Sequence, residues 1–201
     1  MTLQQSLPLT LLSPATKVLR VLVACEYSGA VRDAFTARGH FAVSADLLET
    51  ESPGRHHCGD VLELLTQRWD LIVAFPPCTH LASSGARWWP AKRRDGRQKA
   101  AVEFVRAIAD ADCPRIAIEN PVGFLSTAWR KPDQIIQPWQ FGHGETKTTC
   151  LWLKGLPLLV ATNVVPGRAN RIHFMPGGKN QSKRRSLTYP GIAAAMASQW
   201  G

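Results

Sequence analysis

The sequence predicts an α/β protein in which helices cover both faces of a parallel sheet. Short apolar runs rich in Val, Ile and Leu recur along the 201-residue chain, as in "KVLRVLVAC" and "WDLIVAF". Between them lie segments with helical spacing. Strands buried on both faces and joined by helices imply right-handed βαβ crossovers.

The elements follow in order. "KVLRVLVAC" (17–25) reads as the first strand, β-branched and closed by turn-formers. "AVRDAFTARGH" (30–40) sets Val31, Ala34, Phe35 and Arg38 at helical spacing and stops at Gly39. "FAVSADL" (41–47) is a second strand ending at Asp46, and "DVLELLTQR" (60–68) a helix before the buried strand "WDLIVAF" (69–75). "DGRQKAAVEFVRAIADA" (95–111) is the clearest amphipathic helix. The strand "PRIAIEN" (114–120), the strand-like "TTCLWL" (148–153) and a final helix "GIAAAMASQW" (191–200) complete the set. Residues 1–16 are expected to be a flexible leader and 17–201 a single domain. Residues 163–186, rich in Gly, Pro, Asn and basic side chains, predict a long mobile loop facing a ligand.

A hydrophobic fraction of 45% and a charged fraction of 19% suit a globular chain, and no apolar run is long enough to cross a bilayer. The five cysteines (Cys25, Cys58, Cys78, Cys113, Cys150) are odd in number and lack CxxC spacing. That argues against a disulfide framework or a metal site and for a reducing cytoplasm. The net charge of +9 is concentrated in "RWWPAKRRDGRQK" (87–99) and "KNQSKRRS" (179–186), which points to a nucleic-acid partner.

Ligands of such sheets bind outside the carboxyl ends of the strands. At those ends stand Cys25 to Gly29, Asp46, Pro77-Cys78 and Glu119-Asn120. Asp46 occupies the position where many Rossmann-like proteins hydrogen-bond a ribose. Pro76 and Pro77 remove two backbone donors and fix φ, so the chain leaves the sheet in a set direction with Cys78 presented for nucleophilic attack. Arg87, Lys92, Arg93 and Arg94 in the following loop are candidates to lower its pKa. Glu119 would face the same pocket, and a thiol beside a carboxylate able to protonate a ring nitrogen suits attack on a pyrimidine. Plainer readings stand beside these: an incidental cysteine at a Pro-rich strand exit, Trp88 and Trp89 as ordinary packing, and a solvated charge run at 183–185.

"FPPCTHLASSGAR" (75–87), "IENPVGF" (118–124), "GDVLEL" (59–64), "FGHGETKTTCLWLKG" (141–155) and "RSLTYPGIAAAMASQWG" (185–201) together resemble motifs of the DNA cytosine-5 methyltransferase family, in particular its short, phage-type relatives. The resemblance runs from about residue 18 onward, and the Pro-Pro-Cys and Glu-Asn pair is its specific part. It implies a Rossmann-like S-adenosylmethionine-dependent methyltransferase sheet with a minimal or absent target-recognition domain, residues 156–186 forming a reduced recognition loop. It further implies S-adenosyl-L-methionine bound by Glu26, Tyr27, Gly29, Asp46, Asp60, Val61 and Pro77, with Asp46 on the ribose and Asp60 on the adenine amino group.

Cys78 would then add to carbon 6 of a cytosine and Glu119 would hold the ring nitrogen and exocyclic amine. The implied partner is DNA, single-stranded or read with low sequence specificity. Its binding residues would be Ser84, Arg87, Lys92, Arg93, Arg94, Lys147, Thr149, Arg184 and Arg185. The implied setting is the cytoplasm of a bacterial or phage-infected cell, and the oligomeric state is left open. The chain departs from the family pattern at "ACEYSG", which keeps only Gly29 of the glycine turn, and at Lys147 and Thr149, which replace two arginines. Two alternatives follow: the same chemistry on a free nucleotide, on RNA or with a modified donor, and a catalytically silent nucleic-acid-binding relative.

Overall fold

A computed structural model describes residues 17–171 and 181–201, apart from the side chains of Gln181, Ser182 and Arg184. The expected leader 1–16 and residues 172–180 of the expected loop lie outside the described residues. Seven strands, β1 (Arg20–Ala24), β2 (Phe41–Asp46), β3 (His56–Cys58), β4 (Leu71–Ala74), β5 (Ile116–Pro121), β6 (Gln134–Ile136) and β7 (Thr149–Lys154), form one sheet in the order β3-β2-β1-β4-β5-β7-β6. The fold is α/β.

β1 to β5 run parallel, as the apolar runs of β1, β4 and β5 predict. β7 does not: it lies antiparallel between β5 and β6, so the sheet is mixed rather than parallel throughout. A parallel return needs a crossover of about a dozen residues or more, usually a helix. The connection 137–148 holds only the 3-10 turn Pro138–Gln140, and the chain doubles back. β3 and β6 were not expected. Each has three residues, "HHC" and "QII", too few to display a period.

Successive residues of β1 face opposite layers. Val21 and Val23 pack with Val31 and Phe35 of α1 (Ala30–Ala37) and with Met196 and Trp200 of the C-terminal helix Pro190–Trp200. Leu22 and Ala24 pack with Val105 and Ile108 of the helix Arg97–Ala109. Each fully buried side chain of this size contributes about 1.5–3 kcal/mol. In chain order, α2 (Trp89–Arg94) and α3 (Arg97–Ala109) precede β5, α4 (Leu125–Ala128) follows it, and α5 (Gln181–Ser186) and α6 (Pro190–Trp200) close the chain. The expected helix 60–68 is a 3-10 turn, Val61–Thr66, begun by the Asp60 carboxylate accepting from the Leu62 amide at 3.0 Å.

The expected loop 163–186 is less free than its composition implies. Its described first part is laced to the body by Gly142 N–H to the Asn163 carbonyl (2.7 Å), Val165 N–H to that of Trp139 (3.0 Å) and Thr146 N–H to that of Ala169 (2.9 Å). Its last six residues are α5. No helix among the described residues is long and apolar enough to cross a membrane.

Candidate active site

The carboxyl edge begins where β1 ends. Cys25 turns the chain at φ +59°, a conformation L side chains rarely hold, and Gly29 follows at φ +77°. A Cβ on Gly29 would press on the Arg32 guanidinium, and the positive φ strains any L side chain there. Arg32 is buried and was not singled out from the sequence. Its guanidinium donates to Ser44 Oγ, Thr50 Oγ1 and the Ser52 and Pro53 carbonyls, holding the 47–55 loop beside Asp46.

The cofactor-side candidates separate on inspection. Glu26 is buried and its carboxylate accepts from the Val31 (2.6 Å) and Arg32 (3.2 Å) amides, so it anchors the start of α1 rather than facing a ligand. Burial pushes its pKa up, while those amides and Ser28 pull the other way. Tyr27 is buried too, and its hydroxyl donates to the Lys183 carbonyl at 2.7 Å. The Val61 side chain belongs to the core. Those three side chains are thus engaged with the protein itself, through α1, the Lys183 carbonyl and the core. Pro77 is exposed beside Cys78.

Asp46 spends Oδ1 on the Leu48 amide (2.9 Å) and Asp60 its Oδ1 on Leu62, leaving each a second oxygen. Both act on Cys25, whose pKa is pushed up to about 12 by burial and then by these two charges. The β1 exit thus has two carboxylates with spare oxygens beside it, while Arg32 bears on Glu26 and Lys183 on Tyr27.

The second half of the edge lies at the ends of β4 and β5. Ala74 pairs with Ile118, so Glu119 stands beside the residues leading into the two prolines. Asn120, itself buried, donates from Nδ2 to the Pro76 carbonyl at 2.8 Å. Beyond it the two loops zip together through Ser83 N–H to the Val122 carbonyl (2.9 Å) and Phe124 N–H to that of Leu81 (2.8 Å). A Cβ on Gly123 would lie 2.1 Å from the Leu81 oxygen, so only glycine permits this approach.

Cys78 is reachable by solvent, yet enough protein surrounds its sulfur that burial pushes its pKa up, and the Glu119 charge adds to this. Lys147 and Arg185 oppose the rise. These are the cations bearing on the thiol, in place of the expected Arg87, Lys92, Arg93 and Arg94. Burial likewise raises the pKa of Glu119, against the Lys147 charge and a hydrogen bond from Thr149, whose hydroxyl also reaches the Lys147 carbonyl at 3.1 Å. Glu119, Lys147 and Thr149 share a recess with Phe75, Tyr189 and Met196, of about 10 Å³, the lower limit for one water.

The basic loop is not a uniform phosphate surface. Lys92 is buried at 8% exposure, and its ammonium donates to the Thr79 carbonyl at 2.5 Å. Gln98, also buried, donates to the His80 carbonyl at 3.2 Å. Two long polar side chains thus hold the backbone just past Cys78. The "AKRR" run does not announce this, because the inward residue is set by the tertiary position of the short helix α2. Ser84, Arg87, Arg93 and Arg94 are exposed. The Arg184 side chain lies outside the described residues.

The segment from Lys183 to Tyr189 straps both halves of the edge. On one side, Lys183 pairs with Glu51 at 2.6 Å while its carbonyl takes the Tyr27 hydroxyl. On the other, Lys147 Nζ donates to the Leu187 carbonyl (3.4 Å), and the Tyr189 hydroxyl to Glu145 Oε2 (2.6 Å).

No family model matches the chain, and comparison with curated proteins finds none that matches it. Among solved structures it is similar to the Entamoeba histolytica methyltransferase EhMeth (15% identity, TM-score 0.46, covering 83% of this chain and 62% of that one). An rRNA methylase from Escherichia coli (15% identity, TM-score 0.38) covers 67% of this chain and is covered over 56%. WbdD, crystallised with the kinase inhibitor LY294002, aligns at 12% identity and TM-score 0.42 over 75% of this chain and 39% of its own. The chain spans less than two thirds of each, and overlaps at this level carry no argument about activity.

Proposed function

We propose that the chain transfers a methyl group from S-adenosyl-L-methionine to carbon 5 of cytosine in DNA through a covalent adduct of Cys78. The observation that carries this is the bracing of the Cys78 turn against the end of the strand that carries Glu119, close enough that the Glu119 charge raises the pKa of the thiol. When bound along Asp46 and Asp60, S-adenosylmethionine supplies the methyl group. The chain's own residues supply the rest.

Cys78, as thiolate, forms a bond to carbon 6 of the ring. The electron pair moved onto the ring is stabilised by Glu119, which donates a proton or hydrogen bond to the ring nitrogen. Its raised pKa favours the protonated form this needs. Carbon 5 would become nucleophilic and take the methyl group, the methyl–sulfur bond of the donor breaking with its electron pair left on the sulfur of S-adenosylhomocysteine, which departs. Loss of its proton to a base breaks the carbon–sulfur bond and returns the thiolate. Lys147, opposing both pKa shifts, offsets negative charge at each stage. A recess near the size of one water does not admit a pyrimidine, so Tyr189 and the strap must withdraw before a base enters.

The test is mass spectrometry of nucleosides from DNA incubated with the protein and labelled S-adenosylmethionine. Labelled 5-methylcytosine is expected with the wild-type chain. Its absence, or label in any other nucleoside, defeats the proposal.

A further inference from the structure

We propose that the substrate reaching Cys78 is a single strand of nucleic acid, held by stacking of a neighbouring base on Trp88. This rests on the preceding reading of the site. Residues 75–96 leave the carboxyl end of β4 through Cys78 and lead to α3, and their first part is hydrogen-bonded to the loop after β5. Trp88 closes the 3-10 turn Ser83–Trp88 and is 56% exposed. The turn is anchored, with Ser83 tied to the Val122 carbonyl and Lys92 to that of Thr79, so the indole is presented from a fixed base.

The surroundings of Trp88 suit a nucleotide rather than a protein core. The Arg87 guanidinium lies 5.1 Å from the Trp88 ring, and Arg93 lies 5.7 Å from the ring of Phe124, which meets Trp89 edge-on at 5.4 Å. Exposed Val122 stands on the neighbouring loop, directly after the strand that carries Glu119. Aromatic rings alternating with arginines form the stacking platform and charge track with which proteins bind single strands.

A duplex substrate asks for more. The target base must be expelled, its place filled and the opposite strand held. The described part of the region between β7 and α6 forms no lobe that could do so. Leu159 is buried in the core, exchanging two 2.7 Å hydrogen bonds with the Gln134 side chain, and the Gln199 side chain clamps the backbone of Val160. A single strand requires neither unpairing nor a clamp.

The experiment compares one cytosine-containing DNA oligonucleotide, its duplex and the RNA strand of the same sequence, for binding and for methyl transfer. The DNA single strand is expected to bind at least about tenfold more tightly than the duplex. Trp88→Ala is expected to weaken single-strand binding by about 5- to 150-fold, with Trp88→Phe keeping most of it. Tighter binding of the RNA strand than of the DNA strand keeps the single-strand inference and moves the substrate to RNA. Equal or better use of the duplex overturns the inference, as does an unchanged affinity in Trp88→Ala. If the duplex is methylated in a Cys78-dependent way, the functional reading stands while this inference fails. If single-strand binding depends on Trp88 but no strand accepts a methyl group, the inference stands and the functional reading fails.

Discussion

Asn120 Nδ2 donates to the Pro76 carbonyl at 2.8 Å, tying the strand that carries Glu119 to the turn that presents Cys78. The amide is buried, so its loss is not made good by water. Asn120→Ala is expected to destabilise the fold by about 1–3 kcal/mol and to lower the methyl-transfer rate more than cofactor affinity. Urea denaturation and single-turnover assays check the two effects, and an unchanged rate would detach the tie from the chemistry.

Cys78→Ser is expected to abolish transfer while leaving S-adenosylmethionine binding largely intact. The thiol stands at the β4 exit, whereas Asp46 and Asp60 bear on the β1 exit. Substantial methylation by the serine variant would remove the covalent route.

Asp46→Ala is expected to weaken S-adenosylmethionine binding by about 1–3 kcal/mol through loss of hydrogen bonds to the ribose diol. Calorimetry is the measurement, and an unchanged affinity would move the cofactor away from β2.

Burial raises the folded-state pKa of Glu119 above the ordinary 4.5, so the folded protein holds this proton more tightly than the unfolded chain. The associated stability is fully present below the unfolded value and is lost as pH rises through the folded one. Glu119→Gln should therefore be more stable than wild type at pH 8, with the gap shrinking toward pH 4. Urea midpoints at the two pH values test this, and a gap that widens in acid would contradict it.

Charge removal should separate Lys92 from its neighbours. Replacing exposed Arg93 and Arg94 with alanine is expected to reduce the salt slope of DNA binding by about 1–2 units. Lys92→Met is expected to leave that slope unchanged and to cost about 1–3 kcal/mol of stability, because its ammonium serves the Thr79 carbonyl. A slope change in Lys92→Met would return this lysine to the phosphate track.

The parallel half of the sheet was legible because "VLRVLVAC", "LIVAF" and "IAIEN" are buried on both faces, which leaves unbroken apolar runs. The strand ends could then be read as one edge, and Cys78, Glu119, Asp46 and Asp60 all lie along it. Side-chain direction was not legible. Nothing local to Glu26 shows that its carboxylate would take the first amides of α1. Lys92 looked like Arg93 because burial of α2 is decided by α3 and the Cys78 loop, not by the charge run. The reversal of β7 was hidden as well: "TTCLWL" is equally apolar in either direction, and the missing crossover helix was the only available sign.

The sheet order also sets when the pieces can come together. Among the described residues β6 has β7 as its only ladder partner, and β7 is made after it. During synthesis β1 to β5 can pair in turn, but β6 must wait until residues 149–154 emerge and dock with it against β5. Lys147 and Thr149 sit at the entry to that last strand. Cys78 and Glu119 are thus made before Lys147 and Thr149, the groups whose charge and hydrogen bond bear on Glu119, so their electrostatic setting depends on the part of the chain synthesised after them.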